Sequence, residues 1–309
     1  MIIKIKCKNS DNKCCKCNEK AVFTSPNLCK EHFINSIECK VSQTIDKYNL
    51  ISKDDKLVIA ASGGKDSLTL LHIVHKIHKD IIVLAVDEGI RGYREHTLKR
   101  LKEFCKERDI QLRIYSYKDE MGKTLDEYLS KNKIMPCTLC GTFRRYLINK
   151  YAKKLDGTKL LTGHNLDDEA QAFLMNLFTS QLKLSARQGL KTGIISNEGF
   201  IPRIKPLYFC SEREIKAYTF LKGWNLTFDE CPHATDSFRG YMRDILNEYS
   251  IINKTAKINL VNNFLKILPK LKENIEKNIK SYPILSCKNC GEPCSTETCS
   301  ACSFQKALV

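Results

Sequence analysis

Residues 62–67 read "SGGKDS", directly behind the apolar run "KLVIAA" at 56–61 and ahead of the helical stretch "LTLLHIVHKIHK" at 68–79. A buried strand that empties into two glycines and then into an amphipathic helix has the build of an anion site. Glycines let backbone N–H groups turn towards an oxyanion, the helix N-terminus adds its dipole, and Lys65 adds a full charge. The loop is not GxxxxGK[ST], which needs glycine where Ile59 stands, nor the dinucleotide GxGxxG. It should hold a phosphate, and the rest of the chain must say whose.

Outward from this loop, strands and helices alternate. Helices are expected over "SIECKVSQTIDKYNL" (36–50), 67–79, "HTLKRLKEFCKERD" (96–109) and roughly 141–155. Strands are expected at "KLVIAA", "IIVLAVDEG" (81–89), "QLRIYSY" (111–117) and "KLLTGH" (159–164), the last running into "NLDDEAQAFLMNLFTS" (165–180). Short apolar strands between helices indicate a parallel sheet covered on both faces, with the ligand beyond the carboxyl ends of the strands. There "SGGKDS", "VDEG" and "TGHNLDDEA" collect, which would surround the phosphate loop with Asp66, Asp87, Asp167 and Asp168. Carboxylates beside phosphates imply a bridging Mg²⁺. Capping of the helix that starts near Asn165 is the other use of the aspartate pair.

A chain of 309 residues with 42% apolar content can form one large core plus small satellites. Its longest apolar runs, such as "IIVLAV" at 81–86, fall far short of a membrane span, and "MIIKIKCK" lacks the apolar centre of a signal peptide. A cytoplasmic protein without membrane partners is expected. The net charge of +16 favours a polyanionic partner, above all a nucleic acid, although a general lysine bias would give the same number.

Sixteen cysteines without a secretory signal read as metal ligands or redox groups. Cys14-x2-Cys17, eleven residues, then Cys29-x2-His32 form one tetrahedral set; Cys287-x2-Cys290, eight residues, then Cys299-x2-Cys302 form another. Both read as structural zinc sites, with Cys7 and Cys15 as possible intruders in the first and Cys294 as a substitute in the second. Cys137-x2-Cys140 differs, because its next plausible partner is Cys231, with 90 residues between. Three cysteines leave one position of an iron or zinc site, or one iron of a cluster, open; a CxxC dithiol with Cys231 unrelated is the alternative.

In order along the chain, CxxC…CxxH, "SGGKDS", "DEGIRGYR", "CTLCGTFRR", "TGHNLDDEA", "ECP" and a four-cysteine knuckle resemble the tRNA 2-thiouridine synthetases of the TtuA and NcsA type. These belong to the PP-loop, or N-type ATP pyrophosphatase, superfamily, and the resemblance runs from Cys14 to Cys302. It implies an α/β parallel-sheet PP-loop ATPase domain, HUP or Rossmann-like, flanked by two small zinc-binding modules. The divisions would be residues 1–40, 41–250 and 251–309. It implies that Ser62, Gly63, Gly64, Lys65, Asp66 and Ser67 cradle the ATP phosphates, that Ala60 and Val86 lie near adenosine, and that Gly163 and Asp168 complete the nucleotide site. Cys137, Cys140 and Cys231 match three ligands of a 4Fe-4S cluster, and Asp66, Arg144 and Asp168 match catalytic positions; Arg144 stands where some relatives carry Lys. Implied partners are tRNA, a second copy of the chain, and a sulfur donor that is either a thiocarboxylated ubiquitin-like carrier or inorganic sulfide.

The chemistry agrees. A uridine C2 carbonyl has no leaving group, so replacing its oxygen by sulfur first requires adenylation by ATP, after which sulfur adds and AMP departs. "RGYMRDIL" at 239–246 looks more like the wobble-uridine enzymes than the T-arm enzymes. Lysines and arginines of "RGYREHTLKR", "TFRRYLINKYAKK" and 254–280 are candidate tRNA phosphate contacts. Another PP-loop ligase would need no cysteine triad, and a zinc-ribbon RNA-binding protein would need no phosphate loop.

Overall fold

The computed structural model describes residues 12–132, 134–194, 199–224, 226, 230–234, 238–279 and 284–308. In chain order these form α1 (Lys30–Lys47), β1 (Leu57–Ala60), α2 (Lys65–Ile77), β2 (Ile81–Asp87), α3 (Arg94–Lys106), β3 (Gln111–Ser116), α4 (Tyr117–Met121), α5 (Leu125–Lys131), α6 (Pro136–Lys154) and β4 (Lys159–Thr162). There follow α7 (Leu166–Phe178), α8 (Leu182–Ala186), β5 (Arg203–Ile204), α9 (Glu212–Leu221), α10 (Phe238–Ile252), α11 (Ala256–Ile279), β6 (Leu285–Ser286), β7 (Pro293–Cys294) and α12 (Ser300–Ala307).

The strands β1 to β5 pair in parallel, in the order β3-β2-β1-β4-β5. Successive strand residues point to opposite faces, and the two cores divide accordingly. Leu57, Ile59, Val83, Ala85 and Leu161 pack with α1, α2, α3 and α9. Val58, Leu84, Val86 and Leu160 pack on the other face with α4, α5 and α6. Both faces being covered explains why β1 and β2 read as continuous apolar runs. Leu57, Val58 and Ile59 are fully buried, and truncating such a side chain to Ala costs about 2–5 kcal/mol.

Strand order reverses between β1 and β4, and at that point a parallel sheet opens a crevice at its carboxyl edge. Helices α10 and α11 lie against α7, and α10 lines this crevice. The two cysteine-rich ends clamp opposite faces. Cys14, Leu28 and Cys29 join the core beneath α1 and α9, whereas Cys287, Cys299 and Cys302 join the core beneath α6, on which α12 packs.

Four helices start earlier than expected, among them α1 at Lys30 instead of 36 and α3 at Arg94 instead of 96. The helix expected from 67 begins at Lys65, because Gly64 of the loop is itself the N-cap. The helix expected from about 141 begins at Pro136, whose fixed φ suits a first helical position, so Cys137 and Cys140 stand on the first turn of α6 instead of before it. The two-residue β5 carries too short a pattern to be read from the sequence.

Candidate active site

The phosphate loop folds around its own serines. Ser67 Oγ accepts from Gly63 N at 3.1 Å and donates to the Gly64 carbonyl at 3.0 Å, while Gly64 N donates to Ser62 Oγ at 3.3 Å. Gly63 has φ of +84°, and a Cβ there would stand 2.1 Å from the Thr97 carbonyl oxygen, so only glycine fits. Gly163, at the end of β4, is constrained from outside: its Cβ would come within 3.0 Å of the Asp66–Ser67 backbone. The loops after β1 and β4 therefore touch. Ala60 closes β1 beside them, and the buried Val86 offers its carbonyl to Arg94 Nε at 3.0 Å.

Asn165 ties the two loops together. Its Oδ1 accepts from Asp167 N and Asp168 N at 2.9 and 3.1 Å, capping α7, and its Nδ2 donates to Asp66 Oδ1 at 2.9 Å. Lys65 Nζ lies 2.9 Å from Asp66 Oδ2 and 3.3 Å from Glu212. Burial pulls the Lys65 pKa down, but these two carboxylates outweigh it and raise the pKa above the ordinary lysine value. Asp168 is pushed up to about 6 by burial, with Asp66 adding to the rise against the Asn165 amide and Arg239. Asp66 and Asp168 thus share one field at the loop mouth. The other two expected carboxylates are also engaged: Asp87 accepts from Gly89 N at 2.9 Å within its own turn, and Asp167 binds Lys257 Nζ at 2.5 Å and Glu212 N at 2.8 Å.

A cleft of about 700 Å³ opens over these groups, and Lys65, Asp66, Asp168, Arg239 and Tyr241 line it together with Cys231. Cys231 is held by its neighbours in sequence: His233 Nε2 lies 2.7 Å from Asp126 Oδ1 of α5, and Glu230 pairs with Arg243 of α10 at 3.1 Å. The folded chain brings Cys231 into electrostatic reach of both Cys137 and Cys140. Burial pushes the Cys140 thiol up against the pull of Arg144, whose Nη2 donates to Cys140 Sγ at 3.1 Å. Tyr117 donates to the Cys140 carbonyl at 2.7 Å. Cys140 and Cys231 lie near the Arg144 cation and Cys231 faces the cleft, but among the described residues the three sulfurs of Cys137, Cys140 and Cys231 do not converge within 4.8 Å as those of the two other sets do.

The other two sets are closed. His32 Nδ1 is 3.5, 3.5 and 3.2 Å from the sulfurs of Cys14, Cys17 and Cys29, and Cys17 Sγ is 3.8 Å from Cys29 Sγ. A tetrahedron built on metal–sulfur bonds of about 2.3 Å has edges near 3.8 Å. Cys287, Cys290, Cys299 and Cys302 converge in the same way, with Cys290 and Cys299 3.7 Å apart. Against burial, backbone N–H donors hold Cys14 down at about 6, and others do the same for Cys287, so each set offers a thiolate near neutral pH. Cys294 instead donates to the Thr296 carbonyl at 2.9 Å, and Cys7 lies outside the described residues.

A family model described as the PP-loop domain matches residues 34–249. The tRNA-5-methyluridine(54) 2-sulfurtransferase of Pyrococcus horikoshii is 36% identical over 278 residues, covering 90% of this chain and 87% of that protein. The tRNA 2-thiolation protein NcsA of Haloferax volcanii is 31% identical over 317 residues, covering 96% and 98%. The chain belongs to the PP-loop tRNA sulfurtransferases. A solved structure of the U34-tRNA thiolase NcsA from Methanococcus maripaludis, with its 4Fe-4S cluster, matches at a TM-score of 0.80 and 29% identity, covering 96% of this chain and 97% of that one. Among the described residues, no helix is long and apolar enough to cross a membrane.

Several members of this family site were not legible as such. Asn165 was visible as a cap, but its reach to Asp66 depends on β1 and β4 being neighbours. Arg94, read as a candidate tRNA contact, is buried and donates to the Ser62 carbonyl at 2.5 Å. Glu88, one residue past the singled-out Asp87, holds Arg94 and Arg144 at 2.8 Å each. Of the other basic candidates, Lys150 and Lys153 are already paired, with Glu120 and Glu292.

Proposed function

We propose that the chain is an AMP- and pyrophosphate-forming tRNA-uridine 2-sulfurtransferase that acts on the wobble uridine. The observation that carries this reading is the shared cleft, lined by Lys65 and Asp66 of the phosphate loop, Asp168 of α7 and Cys231 of the cysteine triad. An ATP loop alone would serve any ligase; opening onto a three-thiol site suits sulfur insertion.

In this reading Ser62 to Ser67 bind the pyrophosphate end of ATP, with Ala60 and Val86 towards adenosine and Gly163 keeping the two loops in contact. Asp66 and Asp168 would hold Mg²⁺, whose charge would offset that of the pyrophosphate. The uridine C2 oxygen attacks the α-phosphorus, an O–P bond forms, and the bond to pyrophosphate breaks. Sulfur then adds at C2, the C2–O bond breaks, and AMP departs. Cys137, Cys140 and Cys231 would hold a 4Fe-4S cluster, which would supply a site for the incoming sulfur. Arg144 keeps a positive charge at Cys140. The two closed sets hold zinc and brace the catalytic domain (41–250) from modules at 1–40 and 251–309.

The likeness of "RGYMRDIL" at 239–246 to the wobble enzymes favours the wobble position, since end-to-end matches are found both to a thiolase named for U34 and to a sulfurtransferase named for position 54. The exposed Leu177, Phe178 and Leu182 support a homodimer, and the relatives named as cytoplasmic proteins support that location. The test is anaerobic reconstitution followed by assay with Mg-ATP, unmodified tRNA and either sulfide or a thiocarboxylated carrier. AMP and 2-thiouridine should rise together, and a tRNA with cytidine at 34 should not react. Thiolation retained in that tRNA but lost when position 54 is changed would move the reading to the T-arm.

A further inference from the structure

A second concavity, of about 880 Å³, lies between the C-terminal end of α1, the loop after α8 and the middle of α11. Lys47, Lys191, Lys266 and Lys272 line it with three asparagines of α11, and among the described residues no carboxylate does. The helix makes this groove by dividing its faces. Val261, Phe264 and Leu268 are buried, with Phe264 against Phe173 of α7 at 4.3 Å between ring centroids, and the amides and amines are left on the flank. The facing wall is the loop at 189–191. Gly189 has φ of +106°, and a Cβ there would stand 2.8 Å from Leu268 Cδ2, so the loop comes closer to α11 than a side chain would allow. Lys272 Nζ donates to the Lys191 carbonyl at 3.3 Å and ties loop to helix.

Elsewhere the chain pairs its lysines. Lys40, Lys65, Lys76, Lys118, Lys205 and Lys257 each have a carboxylate oxygen at 3.0 Å or less. Among the described residues, no carboxylate pairs with any of the four groove lysines. Lys266 reaches Asn263 Oδ1 at 3.3 Å, and Lys47 sits over the Tyr48 ring at 5.2 Å. Burial, with Lys205 adding to it, pushes the Lys272 pKa down, a shift that an anion in the groove would reverse. Amines gathered in one concavity without a counter-charge make a field that draws a polyanion.

Length and position say which polyanion. From Asn259 to Lys272 the lining spans about 20 Å of α11, and the same helix opens at the catalytic cleft, where Lys257 of its first turn binds Asp167. A single phosphate or nucleotide is too short to use such a stripe. A chain with a phosphate on every residue and one base in the cleft is long enough, and asparagine amides both donate and accept, which suits phosphate oxygens and 2′-hydroxyls. On the reading of the substrate as tRNA, we infer that this groove holds the phosphodiester backbone of the RNA stem adjoining the target uridine, so that α11 spans the distance between the reacting base and its stem. Of the lysines at 254–280, Lys266 and Lys272 are then contacts, whereas Lys257 and Lys277 are held by Asp167 and Glu273.

The experiment measures binding of unmodified tRNA to the full chain on filters across roughly 50–200 mM salt, for wild type, for Lys191→Gln combined with Lys266→Gln, and for Lys102→Gln combined with Lys106→Gln. The first pair is exposed at the groove and the second is exposed on α3, so both variants lose the same charge and leave the core intact. The groove variant should bind more weakly throughout, and its plot of log affinity against log salt should be shallower by about two, one for each lost phosphate contact. The α3 variant should keep the wild-type slope, and both should bind α,β-methylene-ATP with Mg²⁺ as wild type does. A wild-type slope in the groove variant, or an equal loss in both variants, would overturn the groove assignment. A wild-type slope joined to lost binding of phosphatidylserine vesicles would give the groove to a lipid surface instead. A wild-type protein that binds no tRNA at any salt concentration would overturn the substrate reading and this inference with it.

Discussion

At the scale of single residues, the site is strained where it is expected to bind. Asp168 carries two duties: its Oδ2 accepts from Asn165 N at 3.1 Å, and its Oδ1 faces Arg239 at 3.5 Å. Burial nevertheless holds its pKa at about 6, above the ordinary 3.8. A carboxyl whose folded pKa exceeds its unfolded one favours the protonated native state. Its stabilisation is complete below about pH 4 and is lost as pH rises through about 6. Asp168→Asn, fixed in the neutral form, should therefore melt higher than wild type at pH 7.5, with the gap closing below pH 5. Thermal melts across that range check it, and a gap independent of pH would show that the ionisation costs nothing. Gly63→Ala makes the complementary case. Left-handed backbone alone costs about 1–3 kcal/mol, and the clash with Thr97 must be relieved by moving α3 or the loop. ATP affinity should fall at least tenfold in equilibrium titration; wild-type affinity would mean that the loop tolerates the shift.

Among the elements, the cysteine sets act on helix ends. Cys29 is the N-cap residue of α1 and also one vertex of the first set, yet its side chain forms no capping hydrogen bond. A bound cation is thus the natural means of fixing the chain entry into α1, which packs on α9 and through it on α2. Cys29→Ser should lower the metal content by one ion per chain and speed amide exchange in the first turns of α1. ATP affinity should stay within about twofold, because α9, which lies between the first set and the loop, is tied to Lys65 by its own Glu212 at 3.3 Å. Elemental analysis with hydrogen exchange checks both; an unchanged metal count would remove the ligand assignment. The sequence carried this much of the fold because each set is local: CxxC and CxxH spacing survives without tertiary information, as does the strand–loop–helix around "SGGKDS". The links across elements were hidden. Asn165 to Asp66, Glu88 to two arginines and Asp167 to Lys257 depend on which strands are neighbours, and no spacing along the chain encodes that.

Across the whole molecule, a net charge of +16 should make tRNA binding steeply salt-dependent, with the logarithm of affinity falling linearly against the logarithm of salt. A flat dependence in filter binding between 50 and 200 mM salt, roughly the range in which such contacts are lost, would assign the charge to composition bias. The cysteine triad also depends on the whole molecule, since Cys231 reaches α6 only after β4, β5 and α9 have been laid down between them. That distance separates two chemistries. If Cys137 and Cys140 act as a dithiol, Cys231→Ala should keep much of the activity, and each turnover should consume a reductant to reopen the sulfur bridge. If all three hold a cluster, Cys231→Ala should lose the iron and 2-thiouridine formation together. Metal in the two closed sets and the affinity of the loop for ATP should persist, because none of the closed-set ligands is shared with the triad. Anaerobic reconstitution of the variant, with iron, zinc, AMP and 2-thiouridine measured on one preparation, separates the cases. We expect the cluster, because Arg144 and Cys231 give the triad a fixed cation and an open side on the cleft, neither of which a self-contained dithiol requires. An iron-free Cys231→Ala protein that still makes 2-thiouridine would reverse that assignment.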